Sequence, residues 1–118
     1  ANCLVKIKKE MLYGLNNLKI FDLEFNYIIN IEPNSFQYLN NLIELNLKSN
    51  QLTIIYENTF RGLNSLIYIS LASNKIQYME FNSFKILLKL KYLVLENNKI
   101  KDLNIAYPST LFYITLSY

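Results

Sequence analysis

Apolar residues recur along this chain in a lattice with a period of 24 residues. The pattern L-x-x-Φ-x-L-x-x-N-x-Φ, in which Φ is apolar and x is any residue, opens at Leu18, Leu42, Leu66 and Leu90. Its asparagine falls at Asn2, Asn26, Asn50, Asn74 and Asn98. The apolar columns contain no polar residue although only 52% of the chain is hydrophobic, so composition alone does not produce them. The pattern predicts a solenoid of repeating coils.

The start of each repeat alternates between apolar and variable residues. This alternation predicts a short strand that buries positions 3 and 5 after the opening leucine and turns positions 2, 4 and 6 outward. Successive strands then stack in parallel about 4.8 Å apart. We therefore predict an α/β repeat fold, with a parallel β-sheet on the concave face and short helical or 3-10 turns and loops on the convex face.

The asparagine column predicts an internal hydrogen-bond ladder. A sharp turn after each strand leaves backbone N–H and C=O groups inside the coil, and one asparagine amide offers two donor hydrogens and an acceptor oxygen. The ladder is expected at Asn26, Asn50, Asn74 and Asn98.

The return path of each coil carries a recurring Asn-Ser/Thr-Phe triplet followed three residues later by leucine. Asn, Ser and Thr favour helix N-termini, so a short turn of helix or 3-10 is expected here, with its phenylalanine in the core. The triplet's core residues are Phe36, Phe60 and Phe84. Gly14 and Gly62 share one column with Tyr38 and Ile86, so we expect glycine to be permitted rather than required there.

Length and composition predict a single domain over residues 1–118, a leucine-rich solenoid segment of about five coils. The interval from Leu90 to Leu111 is shorter than the others, and Tyr107-Pro108 stands where phenylalanine would fall. The chain starts within a repeat and ends two residues after the inward Leu116, so both end caps are expected to lie outside it. Uncapped strand edges pair with other chains, which predicts self-association through the ends.

Candidate chemistry is sparse. The sequence has no histidine and a single cysteine, Cys3, so the commonest general base is missing and the thiol has no partner for a disulfide or zinc site. We expect no enzyme activity, no cofactor and no metal site. The net charge of +3 is spread over mixed-sign strand positions and separate basic residues, which predicts no nucleic-acid stripe. No apolar run is long enough for a membrane span, and we expect no direct membrane contact.

The outward strand positions supply the candidate binding residues. Tyrosines recur there on neighbouring strands, beside Ile43, Ile67, Val94 and Phe112. Aromatic side chains with a polar tip are favoured at protein interfaces, although tyrosine also suits strands in general. The expected anchors for a protein ligand are Tyr68, Tyr92 and Tyr113, supported by Glu44 and Glu96.

The repeat resembles the typical 24-residue leucine-rich repeat family over nearly all of the chain, with residues 57–63 reading ENTFRGL. Similar repeats occur in Toll-type receptors, Slit-like and chaoptin-like proteins, and small matrix proteoglycans. The resemblance implies protein binding through the concave face of an extracellular or cell-surface receptor or adhesion protein. Cysteine-rich caps and N-x-S/T glycosylation sites are missing from the sequence, which keeps an intracellular scaffold or adaptor as the alternative. A third alternative is a set of repeats that supports an enzymatic or signalling domain elsewhere in a longer protein.

Overall fold

The computed structural model describes residues 3–116; the predicted asparagine Asn2 lies outside this range. We name the coils by residue number: coil A is 3–17, coil B 18–41, coil C 42–65, coil D 66–89 and coil E 90–110, followed by a last strand. The elements, in chain order, are β1 (Lys6–Ile7), a 3-10 helix (Lys9–Leu12), β2 (Ile20–Asp22), β3 (Asn30–Ile31), β4 (Glu44–Asn46), β5 (Ile54–Ile55), β6 (Tyr68–Ser70), β7 (Tyr78–Met79), β8 (Tyr92–Val94) and β9 (Tyr113–Thr115).

A five-stranded parallel sheet with the order β2-β4-β6-β8-β9 forms one side of the solenoid. Each strand pairs with the equivalent strand of the next coil, so that one column runs in register through Ile20, Glu44, Tyr68, Tyr92 and Tyr113. The predicted solenoid with a parallel sheet is confirmed. Two smaller parallel sheets, β1-β3 and β5-β7, lie on the flank that follows the asparagines; the sequence did not predict them.

The core is a continuous stack of the repeating apolar columns. The side chains of Phe36, Phe60 and Phe84 are fully buried. Ring centroids lie 6.2 Å apart between Phe36 and Phe60, and 5.8 Å apart between Phe60 and Phe84. These separations lie in the range at which aromatic pairs attract beyond simple area burial. The stack therefore ties coils B, C and D together on the convex side.

The asparagines bridge successive coils from inside. Nδ2 of Asn50 donates to the carbonyls of Leu23 and Leu47, both at 3.0 Å, and its Oδ1 accepts from the N–H of Ile28 at 3.1 Å. Each side chain thus binds its own turn and the turn of the preceding coil. Equivalent bonds are made by Asn26, Asn74 and Asn98.

The convex side is made of short turns, and within residues 3–116 regular helix is limited to Lys9–Leu12. Asn34 has a φ of 61°, whereas a helix N-cap needs extended backbone. The hydroxyl of Ser35 donates to the carbonyl of Glu32 at 2.5 Å, and Ser83 repeats this bond with Glu80 at 2.7 Å. These hydroxyls close isolated turns, which competes with helix initiation. The described residues contain no helix long and apolar enough to cross a membrane.

One glycine prediction is wrong. Gly62 has a φ of 98°, and a Cβ added there would lie 2.4 Å from Cα of Gln37 in the preceding coil. Glycine is therefore required at this position by both conformation and space. Gly14 also has a positive φ, of 81°, but open space surrounds it. The shared sequence column concealed this difference between the two coils.

Candidate functional site

The concave sheet presents the tyrosines in one row. Tyr68, Tyr92 and Tyr113 occupy equivalent positions on β6, β8 and β9, so adjacent rings stand side by side on neighbouring strands. Tyr113 is 54% exposed, Tyr92 is 37% exposed and Tyr68 is half-buried. Because the backbone beneath them is held by ladder hydrogen bonds, their relative spacing is fixed before any ligand binds.

An aromatic cluster closes the C-terminal end of this row. Phe112, which lies beside Tyr113 in sequence, is 79% exposed. The ring of Tyr92 meets Phe112 edge-on, with centroids 6.3 Å apart, and meets Tyr113 at a tilt, with centroids 6.5 Å apart. Sequence reasoning placed Phe112 among the neighbours but not among the anchors. We define these three residues as the aromatic cluster.

The N-terminal part of the concave face is polar and largely bonded within itself. Oδ1 of Asp22 accepts from the N–H of Glu24 at 3.0 Å and from Nδ2 of Asn46 at 3.2 Å. Glu24 also lies 4.0 Å from the ammonium of Lys48. These groups already have partners, so they gain less from a ligand than unbonded side chains do.

The two predicted acidic residues occupy different surroundings. Glu44 is exposed on β4 and shares a groove of about 370 Å³ with Ile20 and Tyr68. Glu96 is exposed just after β8, in the same repeat position as Glu24 and Lys48. Glu44 therefore lies directly beside one predicted tyrosine, whereas Glu96 borders the face. Neither residue belongs to the aromatic cluster.

A second surface lies on the flank beyond the ladder. Lys99 and Lys101 line a cleft of about 470 Å³ together with Gln77 and the exposed Tyr78. Lys75 occupies the repeat position of Lys99 one coil earlier and is also exposed. This concentrates positive charge on coils D and E, on a different side from the aromatic cluster.

The residues that the structure describes contain few of the side chains that enzymes commonly use as nucleophile or base. Cys3 is a free, exposed thiol, and the sequence contains no histidine. Within the described residues, no group of three or more histidine, cysteine or acidic side chains is arranged to hold a metal ion.

Comparison with known proteins agrees with the solenoid fold. A family model described as leucine rich repeat matches residues 1–52 and 16–76. A search of curated proteins gave no match. Among solved structures, the chain is similar to the Toll-like receptor TLR13 in its crystallised complex with ssRNA13, with 36% identity and a TM-score of 0.82. That alignment covers 86% of this chain but only 14% of the receptor chain. The chain belongs to the leucine-rich repeat family.

Proposed function

We propose that this chain is a protein-binding segment of an extracellular receptor or adhesion protein and that it binds its ligand through the concave sheet. Residues 1–118 act as one leucine-rich repeat unit within a longer protein. The observation that carries the proposal is the exposed aromatic cluster of Tyr92, Phe112 and Tyr113 on a rigid sheet. Similarity to a Toll-like receptor over most of the chain supports the receptor assignment.

Binding energy is expected to concentrate at the aromatic cluster. Interface hot spots are enriched in aromatic residues, and truncating one typically costs at least about 2 kcal/mol in affinity. Tyr68 extends the row toward Glu44, which adds a carboxylate at the edge of the aromatic surface. The polar N-terminal part then sets register and on-rate more than affinity, because its charges are already paired. We assign the segment no catalytic role.

The test uses a displayed library of secreted and ectodomain proteins, selected on the parent chain. Each recovered protein is measured against a variant with Tyr68, Tyr92 and Tyr113 changed to alanine. The matched control carries alanine at three exposed tyrosines elsewhere, Tyr56, Tyr78 and Tyr107. We expect at least about thirtyfold weaker binding by the concave variant and near-parent affinity for the control. Ligands that bind the concave variant normally and lose affinity only with the control would contradict the proposal.

A second candidate function is binding of single-stranded RNA, with which the related receptor TLR13 was crystallised. The observation that favours it here is the basic cleft of Lys99, Lys101 and Tyr78. A short fluorescent RNA oligomer titrated at several salt concentrations tests it, because phosphate contacts make affinity fall with salt. If RNA binds, Lys99→Gln with Lys101→Gln should weaken it and flatten the salt slope. The concave tyrosine variant should leave RNA binding unchanged.

Cellular location is part of the proposal. If the complete gene encodes a signal peptide and paired cysteines that flank this segment, the extracellular assignment is supported. A complete gene without either supports the alternative, an intracellular leucine-rich repeat scaffold. Fusing the native N-terminal region to a reporter and assaying secretion separates the two directly.

A further inference from the structure

On the flank that follows the asparagines, the contacts between neighbouring coils are not the same at every boundary. They alternate from one boundary to the next. On this flank β1 pairs with β3, and β5 pairs with β7, but β3 and β5 belong to different sheets. The boundaries between coils A and B and between coils C and D are therefore closed by strand pairing. The boundary between coils B and C lacks strand pairing and is crossed there by single backbone bonds, from Gln51 N to Ile28 O at 2.9 Å and from Asn34 N to Asn58 O at 3.2 Å.

Side-chain carboxylates follow the same alternation. Oε1 of Glu32 accepts from the N–H of Lys9 across the A/B boundary at 3.3 Å, and Oε1 of Glu80 accepts from the N–H of Glu57 across the C/D boundary at 2.6 Å. At the B/C boundary these two positions hold Tyr56 and Pro33. Tyr56 has no carboxylate, and Pro33 has no N–H to donate. This bond is chemically impossible at B/C.

Hydroxyl bridges alternate as well. Ser35 donates to the carbonyl of Ile7 across A/B, and Ser83 donates to that of Ile55 across C/D, both at 3.4 Å. Oγ1 of Thr59, the equivalent residue in coil C, instead accepts from Tyr56 N at 2.9 Å within its own coil. Glu32 and Glu80 are 48 residues apart, as are Ser35 and Ser83.

Clefts lie at both boundaries that lack strand pairing; a further one of about 380 Å³ runs from Pro33 past Glu57 to Glu80 and so reaches the C/D boundary as well. One of about 140 Å³ at B/C is lined by Ile29 and Ile31 on one side and Thr53 and Ile54 on the other. Another of about 240 Å³ lies at D/E, where Gln77 and Tyr78 face coil E. Within residues 3–116, β7 pairs only with β5, so the D/E flank also lacks strand pairing.

We propose that the mechanical unit of this solenoid is a double coil whose contacts repeat every 48 residues, A with B and C with D, and that the flank opens between units. The concave side holds during opening, because β2 pairs with β4 and Asn50 bonds to Leu23 and Ile28 across the same boundary. While β2 and β4 remain paired, opening of the flank changes the angle between these two strands. The curvature of the concave sheet therefore changes next to Glu44. The proposal does not depend on the identity of any ligand.

Amide hydrogen exchange on the unmodified chain tests this directly. Ile29 N donates to Val5 O at 2.9 Å within unit A–B, and Gln77 N donates to Thr53 O at 2.8 Å within unit C–D. The equivalent donor at B/C is Thr53 N, and no such bond to Ile29 is present within residues 3–116. After correction for intrinsic rates, the Thr53 amide should exchange at least about tenfold faster than those of Ile29 and Gln77. Equal protection of the three amides overturns the proposal.

A double-mutant cycle tests the cause. Tyr56→Glu combined with Pro33→Lys installs at B/C the bond that Glu32 and Lys9 make at A/B. The combined variant should slow exchange of the Thr53 amide by about tenfold, whereas either single change should not, because each lacks the other partner. As the reverse control, Glu80→Ala should speed exchange of the Glu57 amide. A combined variant that exchanges like the single variants refutes the assignment; if a variant fails to fold, the comparison on the unmodified chain decides.

Discussion

Replacement of Asn50 by alanine measures how much one step of the ladder contributes to stability. The side chain makes four hydrogen bonds, to the carbonyls of Leu23, Leu47 and Lys48 and from the N–H of Ile28. Adding four bonds at about 1 kcal/mol each would predict a loss of about 4 kcal/mol. That sum is too large, because the three carbonyls keep other partners.

The carbonyl of Leu23 also accepts from Asn26, and that of Leu47 also accepts from Asn74. Lys48 O accepts from the N–H of Phe25. The group left without a partner is the N–H of Ile28, a residue with no exposed surface. An unsatisfied buried donor costs roughly 1–3 kcal/mol, and this is the expected effect of Asn50→Ala on the free energy of unfolding.

Urea unfolding followed by circular dichroism supplies the measurement, with stability taken from the midpoint and slope. Asn46→Ala is the matched control in the same coil, since Asn46 bonds on the exposed face to Asp22; it should change stability by less than about 0.5 kcal/mol. Asn98→Ala should cost less than Asn50→Ala, because Asn98 is only half-buried. A loss near 4 kcal/mol for Asn50→Ala would show that the four bonds contribute independently. A loss equal to that of the control would show that the asparagine ladder does not stabilise the fold.

Three further outcomes are expected. Phe60→Ala should cost about 3–5 kcal/mol of unfolding free energy by leaving a cavity between two stacked rings, while Phe81→Ala, at an exposed site, should cost less than about 0.5 kcal/mol; equal losses in urea melts would contradict the core assignment. Gly62→Ala should destabilise more than Gly14→Ala, because only the first adds a clash with Gln37 to the strain of positive φ; the ranking of their melting temperatures decides this. Tyr113→Ala should leave stability within about 0.5 kcal/mol of the parent, and a larger loss would mean that its ring supports the fold.

The sequence predicts those features that depend on burial repeated at one position in every coil. The residues of the leucine, phenylalanine and asparagine columns have the same surroundings in each coil. Each further repeat therefore strengthens the same prediction for that column. The register of the concave sheet follows from this, and it places Tyr68, Tyr92 and Tyr113 side by side without reference to the structure. Residue types are limited at the leucine and phenylalanine columns because a polar residue there would be buried unbonded, and at the asparagine column because the turn needs the donors and acceptor of an amide.

Features that depend on contacts between two particular coils could not be predicted from the repeating pattern. Glycine is required at position 62 because the backbone of Gln37 in the preceding coil lies too close for a Cβ. The equivalent positions of the other coils do not show this contact. The alternating flank depends on Pro33 facing Tyr56, which lie in variable columns. The exposure of Phe112 depends on where the shortened coil E returns to the sheet. In each case the neighbouring residue that determines the feature occupies a position that does not repeat from coil to coil.

A left-handed turn follows each of the strands β2, β4, β6 and β8 and connects the asparagine ladder to the concave face. Four residues in equivalent positions share this conformation, with φ between 54° and 59°: Phe25, Ser49, Ser73 and Asn97. Only the last is a type that favours this region, and Phe25 in particular is a poor one. The conformation is therefore imposed by the coil, since the asparagine that follows each residue must turn its amide inward.

That imposed turn limits how the concave strands move. β4, β6 and β8 each follow a buried leucine and end in a turn clamped by an asparagine, so their outward side chains are held at both ends. Fixing the backbone before association lowers the ordering cost of binding. For Tyr92 on β8, the ring then loses only its own side-chain freedom, which is small for an aromatic group with two rotatable bonds. A ladder variant such as Asn98→Ala should consequently weaken binding at the aromatic cluster without touching it, by loosening the turn after β8.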